Sequence, residues 1–280
     1  MQIRPPEQKG PDQNRPDQNR PNPGMPGSRL GIIQLVTTSL QSLWVCRDDA
    51  LRLGVVPMII YFAAMFYGRP AALAVMDALQ GGSAGLARSV GGDLLLSGLV
   101  AVCSFALLAV NWLRFLLLGP QKAAGLGLHL TRAHLQYLLG VIALGFAALL
   151  GLSLLSLPIQ FLPPLLARIG LWVAALVVGL TAIRLSLALV AIAISQPVGL
   201  RQAWEASRGQ GFVLLIAFLL AQIPFMLAVM VIGVIAGVTG LADAAPYTLL
   251  LLGCICQIGA TMTQTGILAA AYRRLIGVRA

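Results

Sequence analysis

The chain has 280 residues, of which 58% are hydrophobic and only 10% charged, against roughly a quarter charged in an ordinary soluble domain. With a mean hydropathy of +0.87, this composition excludes a soluble globular protein and describes a chain written largely as apolar runs long enough to cross a bilayer. The formal charge is +10, from 19 Lys and Arg against 9 Asp and Glu. In a membrane protein such an excess reports orientation and anionic headgroups before nucleic acid, so the phospholipid bilayer is the expected partner and nucleic acid is not.

Residues 1–28 are a different material from the rest. Pro11-Asp12-Gln13-Asn14-Arg15 is repeated at once as Pro16-Asp17-Gln18-Asn19-Arg20, with almost nothing apolar to bury. Such a segment does not offset its ordering entropy and is expected to be a disordered tail, read as a repeat expansion rather than as a docking segment. From Arg29 to Arg47 the pattern turns helical: Leu30, Ile33, Thr37, Leu40 and Trp44 make an apolar stripe that Ile32, Val36 and Leu43 widen, opposite Gln34, Thr38, Gln41 and Ser42. This predicts an amphipathic interfacial helix with a Trp at headgroup level, acting as a collar on the bundle. Asp48-Asp49 then falls where the first span begins, where carboxylates cap free amides and complement the helix dipole.

Six apolar runs follow, at 51–67, 94–118, 135–157, 169–195, 212–236 and 247–272. They predict an all-α polytopic bundle of six transmembrane helices, one domain over residues 29–280. The fourth run is long enough that it either tilts or ends early and continues along the interface. One side of the membrane collects fourteen basic residues, Arg4, Lys9, Arg15 and Arg20 in the tail and then Arg29, Arg47, Arg52, Lys122, Arg132, Arg201, Arg208, Arg273, Arg274 and Arg279; the other has Arg69, Arg88 and Arg168. The positive-inside rule therefore puts both termini in the cytoplasm of a bacterial inner membrane. The earlier apolar stretch, Leu30 to Val45, begins some thirty residues in and no A-x-A site follows it, so the first span is expected to serve as its own insertion signal. Cys46, Cys103, Cys254 and Cys256 lie in or beside apolar helices and read as buried structural thiols; Cys254 and Cys256, two apart on a helix, do not share one ion unaided.

The two halves share a plan. Span two carries Arg114 near its end and a basic loop leads through Thr131-Arg132 into span three, while span four carries Arg184 and its loop leads through Trp204 and Ser207-Arg208 into span five. The copies run in the same direction, as a parallel repeat would, though the match is only a few residues deep. These stretches also carry a resemblance. Trp112-x-Arg114-Phe115-x-Leu117-Leu118-Gly119, then Arg184-Leu185-Ser186-x-Ala188-Leu189 and Ala203-Trp204-x-x-Ser207-Arg208-Gly209-x-Gly211, resemble a group of uncharacterised bacterial six-helix inner-membrane proteins. That group is similar to the membrane domain attached to some glycerophosphodiester phosphodiesterases. The chain departs from the pattern at Pro120-Gln121, in place of an acidic residue after the Gly, and at Val190, in place of a Pro. The resemblance implies the membrane domain without the catalytic barrel, and so carries no phosphodiesterase activity.

An ionisable residue inside a span is a functional candidate, because placing it in hydrocarbon costs about 2.5 to 3.5 kcal/mol on the insertion scale. Arg114 lies four residues from the end of its span, within snorkelling range, and reads as an anchor at a helix C-terminus. Arg184 is eleven residues before Ser195, roughly 16 Å in a straight helix, which would set it near the midplane. No Asp or Glu is written inside a span, so charge balance must come from Asp48, Asp49 or Glu205, from backbone carbonyls, or from a lipid phosphate. Arg114, Arg184, Arg132 and Arg208 are thus the candidate anionic-lipid or phosphate ligands, with structural arginines as the competing reading. On span six Cys254, Gln257, Thr261 and Gln264 form a polar stripe, joined by Asn111 on span two and Thr181 one turn before Arg184. Asn111, Thr181, Gln257, Thr261 and Gln264 either line a cavity or make interhelical hydrogen bonds that fix packing.

Enzyme chemistry finds no constellation. His129 and His134 have no carboxylate at ligand spacing and read as solvated or interfacial; Asp77, Asp93 and Asp243 make no pair. No phosphate loop or nucleophile elbow is written, so neither catalytic residue, metal nor cofactor is expected. The expected function is a non-catalytic membrane protein that binds or organises anionic lipid or scaffolds a partner, the alternative being a transporter or channel-like protein for a small amphiphile.

Overall fold

A computed structural model describes residues 31–81, 84–120, 131–161, 163–196 and 198–277 of the chain. The tail, Arg29 and Leu30, Arg279, and the loop with Lys122 and His129 lie outside them. The described residues form helices and the turns that join them, with no strand among them: α1 Ile32–Val45, α2 Arg47–Gly81, α3 Ala84–Leu118, α4 Arg132–Ile159, α5 Pro164–Ala193, α6 Leu200–Ala206, α7 Gly211–Thr239, α8 Leu241–Ala244 and α9 Pro246–Leu275. Six of these, α2, α3, α4, α5, α7 and α9, are long and apolar enough to span a bilayer. The protein is a multi-pass membrane protein, and five of the six apolar runs fall inside these helices; the fourth, 169–195, overruns the end of α5 at Ala193 by two residues, because the chain turns back at Ser195.

The helices outrun the apolar runs because polar or proline residues at their ends do not stop them. Helix α2 has 35 residues and passes through Pro57 and Pro70. Pro57 lacks an amide for the ladder, and its own carbonyl accepts a 2.5 Å bond from Ser104 Oγ of α3, which ties α2 to α3 at this turn. The fourth span is one continuous helix begun by Pro164 at its first position. At 30 residues it is about 45 Å long, half as long again as a hydrocarbon core, which a tilt accommodates.

Helices α2 and α3 form one hairpin and α4 and α5 another, while α9 touches α1, α2, α3, α5 and α7 and is the axis of the assembly. The core lies at one end, where α3, α5 and α9 finish and α4 and α7 begin. There Leu113, Leu187, Val190, Leu214, Ile267 and Tyr272 are fully buried. A smaller cluster of Leu53, Leu108, Trp112, Ile258 and Met262 adjoins it between α2, α3 and α9. Toward the other end packing thins: the buried residues of α4 are Ala133, His134 and Tyr137, all in its first two turns. In the far halves of α5 and α7 single alanines, Ala174 and Ala236, are buried. The exposed side chains of α4, from Leu139 through Phe146 to Leu154, are large and apolar, as a lipid-facing surface requires.

Helix α1 is where the packing differs from the sequence pattern. Its innermost residues are Leu35 and Ser39, while Ile33 and Trp44 from the apolar stripe are 76% and 74% exposed. The helix is turned by about one residue from the expected face because α9 offers it a notch at Gly266, where any Cβ would collide with the Ser39 hydroxyl. That hydroxyl donates to the Thr263 carbonyl, so a polar residue becomes the closest point of contact between two apolar helices. A single turn residue, Cys46, separates α1 from α2, and its carbonyl accepts the Ala50 amide. Asp48 and Asp49 stand exposed in the first turn of α2, where they complement the dipole.

Candidate functional site

The end of the bundle that holds the core also gathers the arginines. Arg114, in the last turns of α3, reaches across to the end of α5: Nε donates to the Ala193 carbonyl at 2.8 Å, and Nη2 lies 3.5 Å from Ser195 Oγ. Ala193 is the last residue of α5, and its carbonyl is one of those a helix leaves without an internal partner. A guanidinium there satisfies the acceptor and meets the negative end of the dipole. The chain turns back at once: Ser195 adopts φ +58, and the amides of Ser195 and Gln196 close onto Ile192 and Ala191. Gln196 Oε1 then accepts a 2.8 Å bond from Tyr272 Oη of α9.

Arg184 does for α6 what Arg114 does for α5. It is nine residues before Ala193, but α7 begins beside it: a Cβ on Gly211 would lie 3.0 Å from Arg184 Cδ. Its guanidinium lies 3.6 Å from the centroid of the Trp204 ring. Nη2 donates to the Trp204 carbonyl at 2.9 Å and Nε to Ser207 Oγ at 3.2 Å. Trp204 and Ser207 belong to the last turn and C-cap of α6, so a cation again sits on the carbonyl end of a helix, with stacking added. Both arginines of the apolar runs therefore take backbone carbonyls at helix ends as partners, one of the sources of charge balance that the sequence left open.

Arg132 and Arg208 open on the same end but are exposed. Neighbouring Arg201 pairs with Glu205 at 2.9 Å, with side chains 92% and 62% exposed, a pair worth about 0 to 1 kcal/mol. Of the four candidate ligands, two are bonded into the protein and two face outward. Arg273 of α9 donates to the Leu116 carbonyl, and Arg274 to Gln34 Oε1 of α1 at 3.0 Å, so the basic end is laced by arginines onto oxygen acceptors.

His134 departs from the solvated or interfacial reading: it is buried, one turn into α4. Its Nδ1 accepts the Thr131 amide at 3.1 Å and lies 2.8 Å from Thr131 Oγ1, and Nε2 lies 3.1 Å from Oδ1 of fully buried Asn111. An acceptor at Nδ1 and an acceptor opposite Nε2 fit the neutral Nε2–H tautomer, with Nε2–H donating to Asn111. The ring is a spacer between the start of α4 and the end of α3.

The five residues read as cavity-lining do not meet in one place. Asn111 belongs to the histidine network. Thr181 donates to its own Val177 carbonyl and borders a groove between α4 and α5 of about 200 Å³. Gln257 and Gln222 border a lateral groove of about 350 Å³ between α7 and α9. Thr261 donates to the Gln257 carbonyl, and Gln264 is half-buried. Cys254 of the same stripe is buried, and the described cysteines are all free thiols.

The interhelical polar contacts of α9 fall instead within the run Gly259-Ala260-Thr261-Met262-Thr263-Gln264-Thr265-Gly266, at Met262 and Thr263 rather than at the stripe residues. The Thr263 carbonyl accepts Ser39, the Met262 carbonyl accepts Trp112 Nε1 at 3.0 Å, and the hydroxyls of Thr263 and Thr265 fold back on Gly259 and Thr261. Its signal in the sequence was two glycines seven apart enclosing three threonines, a small-residue pattern that permits close helix approach. At the opposite end, Tyr67 Oη donates to Asp93 at 2.9 Å and Arg69 lies over the Tyr247 ring at 5.7 Å. Among the described residues no group of three or more His, Cys, Asp or Glu could hold a metal ion.

Neither a family model, nor a curated protein, nor a solved structure matches the chain. The resemblance to the membrane domain of glycerophosphodiester phosphodiesterases therefore rests on the motif residues alone. Several of those residues converge in space: Arg184, Trp204, Ser207 and Gly211 are one cluster, and Gly209 beside it takes φ +78.

Proposed function

We propose that the protein is a non-catalytic component of a bacterial inner membrane, both termini cytoplasmic, whose basic end binds and organises anionic lipid headgroups or scaffolds a partner there. The reading is carried by a division of roles among the arginines. Arg114 and Arg184 are bonded to helix termini and hold the end together, whereas Arg132, Arg201 and Arg208 surround them exposed. Orientation is supported by the same count: Arg47, Arg52, Arg114, Arg132, Arg201, Arg208, Arg273 and Arg274 gather at this end, against Arg69 and Arg168 at the other. The transporter alternative draws no comparable support, since its polar residues are dispersed over separate grooves.

The test is native mass spectrometry of the purified protein in an equimolar mixture of phosphatidylglycerol and phosphatidylethanolamine. Each basic residue near an anionic surface contributes about 1 kcal/mol, so a triple Arg132→Gln, Arg201→Gln, Arg208→Gln variant should lose an anionic enrichment of about tenfold or more. An unchanged lipid ratio would reduce these arginines to topological signals and end the lipid reading. For the alternative, labelling of Thr261→Cys from both sides of the membrane would show two accessible states, which an organising protein has no need of.

A further inference from the structure

A cleft of about 750 Å³ opens on the lateral surface where α1 ends, α2 begins and the middle of α9 passes behind them. Leu51, Val55 and Met58 of α2 form one wall, Leu43 of α1 another, and Ile258 and Met262 of α9 the floor. Gly54 lets α2 approach α9 closely at the back of the cleft, where a Cβ would come within 3.1 Å of Met262 Cε. Exposed Trp44, Leu51 and Val55 stand at the opening, so the cleft faces whatever surrounds the bundle. Around a multi-pass bundle that is lipid, and an apolar cavity of this kind does not hold water. One charged side chain lines it: Arg47, whose guanidinium lies 5.9 Å from the Trp44 ring centroid. Its ion pair with Asp48 is loose, 3.8 Å between side chains 65% and 93% exposed, and leaves the guanidinium donors open to a phosphate.

We propose that this cleft seats one acyl chain of a phospholipid whose phosphodiester lies on Arg47, with the Trp44 indole at headgroup level. The site is separate from Arg132, Arg201 and Arg208, though it rests on the reading that this end of the protein organises lipid. It gives that reading a fixed stoichiometry, one chain held between helices, in place of a diffuse headgroup layer.

The experiment is titration of the delipidated full-length protein with dioleoyl phosphatidylglycerol, followed by native mass spectrometry under activation that strips loosely held lipid. Wild type is expected to retain one lipid. Val55→Trp plugs the cleft from an exposed position, removes the packing contacts that hold the chain against the helices, and should abolish retention of the lipid. Leu51→Phe, also at an exposed position, is the second plug should Val55→Trp not assemble. Arg47→Gln should weaken it by up to about fivefold, the scale of an exposed ion pair, and Arg132→Gln with Arg208→Gln should leave it unchanged. Retention at wild-type strength in both plugged variants overturns the proposal. If the Arg132, Arg208 double variant loses the lipid while the plugs do not, the basic end organises lipid without this cleft. Loss in the plugs alone establishes the cleft independently of any headgroup preference at those arginines.

Discussion

Replacing Arg184 with Gln removes three contacts at once: the bond to the Trp204 carbonyl at 2.9 Å, the bond to Ser207 Oγ at 3.2 Å, and the stacking on Trp204 at 3.6 Å. A hydrogen bond from a charged donor contributes about 1.5 to 3 kcal/mol. Arg184 is only half-buried, so the low end applies to the better bond and less to the longer one. An exposed cation–π contact adds about 0.5 to 1 kcal/mol, and together these stabilise the closed arrangement of α6 by about 2 to 3 kcal/mol. Helix α6 has seven residues, too few to be stable without tertiary contacts, so the loss should appear there first. Amide exchange of Ala203, Ser207, Arg208 and Gln210, whose acceptors are Gly199, Ala203, Glu205 and Ser207, should accelerate by roughly 30- to 140-fold at 1.4 kcal/mol per decade. Exchange in the middle of α9 should not change. Arg184→Lys keeps the charge without the planar fork and should recover little of the protection. Unaltered exchange across α6 in Arg184→Gln would refute the capping role and return Arg184 to the pool of candidate lipid ligands.

Two further experiments, one substitution and one double-mutant cycle, probe the core contacts. Gly266→Ala should displace α1 from its notch on α9, an overpacking cost of about 1 to 3 kcal/mol, visible as a lowered melting temperature in detergent; an unchanged one would mean that the Ser39 contact is not tight. Asn111→Ala and His134→Ala should each cost about 1 to 3 kcal/mol by orphaning a buried partner, and the double variant less than their sum. Strict additivity in that cycle would show that the two side chains do not bond.

The six spans were legible because crossing a bilayer imposes one simple demand, an uninterrupted apolar run, on any helix that does it. Element ends were less so: the runs stop where apolarity stops, whereas α2 continues through Arg69 and Pro70 to Gly81. The interior was legible only in part. Arg114 and Arg184 stood out as charges in apolar sequence, but their acceptors are carbonyls at the ends of α5 and α6, and a carbonyl leaves no mark in the sequence. Ser39 drew no notice among the polar residues of α1, and only the matching gap at Gly266, more than two hundred positions away, makes it the point of contact. His134 shows the same limit, since its burial depends on α3 lying where Asn111 can meet it. The polar stripe of α9 was read from period alone, and period does not say which of several polar faces turns inward.

The uneven distribution of the core has a mechanical meaning. Fully buried large side chains and arginine caps tie the helices together at the basic end, while α5 and α7 bury little more than single alanines at the other. Such a bundle is stiff at one face of the membrane and compliant at the other, like a sheaf bound near one end. When the surrounding bilayer thins or thickens, its helices adjust tilt at the free end, because few interdigitated side chains there must be parted. The bound end keeps its geometry through such changes, so the contacts between its arginines and the helix-end carbonyls are insulated from the state of the opposite leaflet.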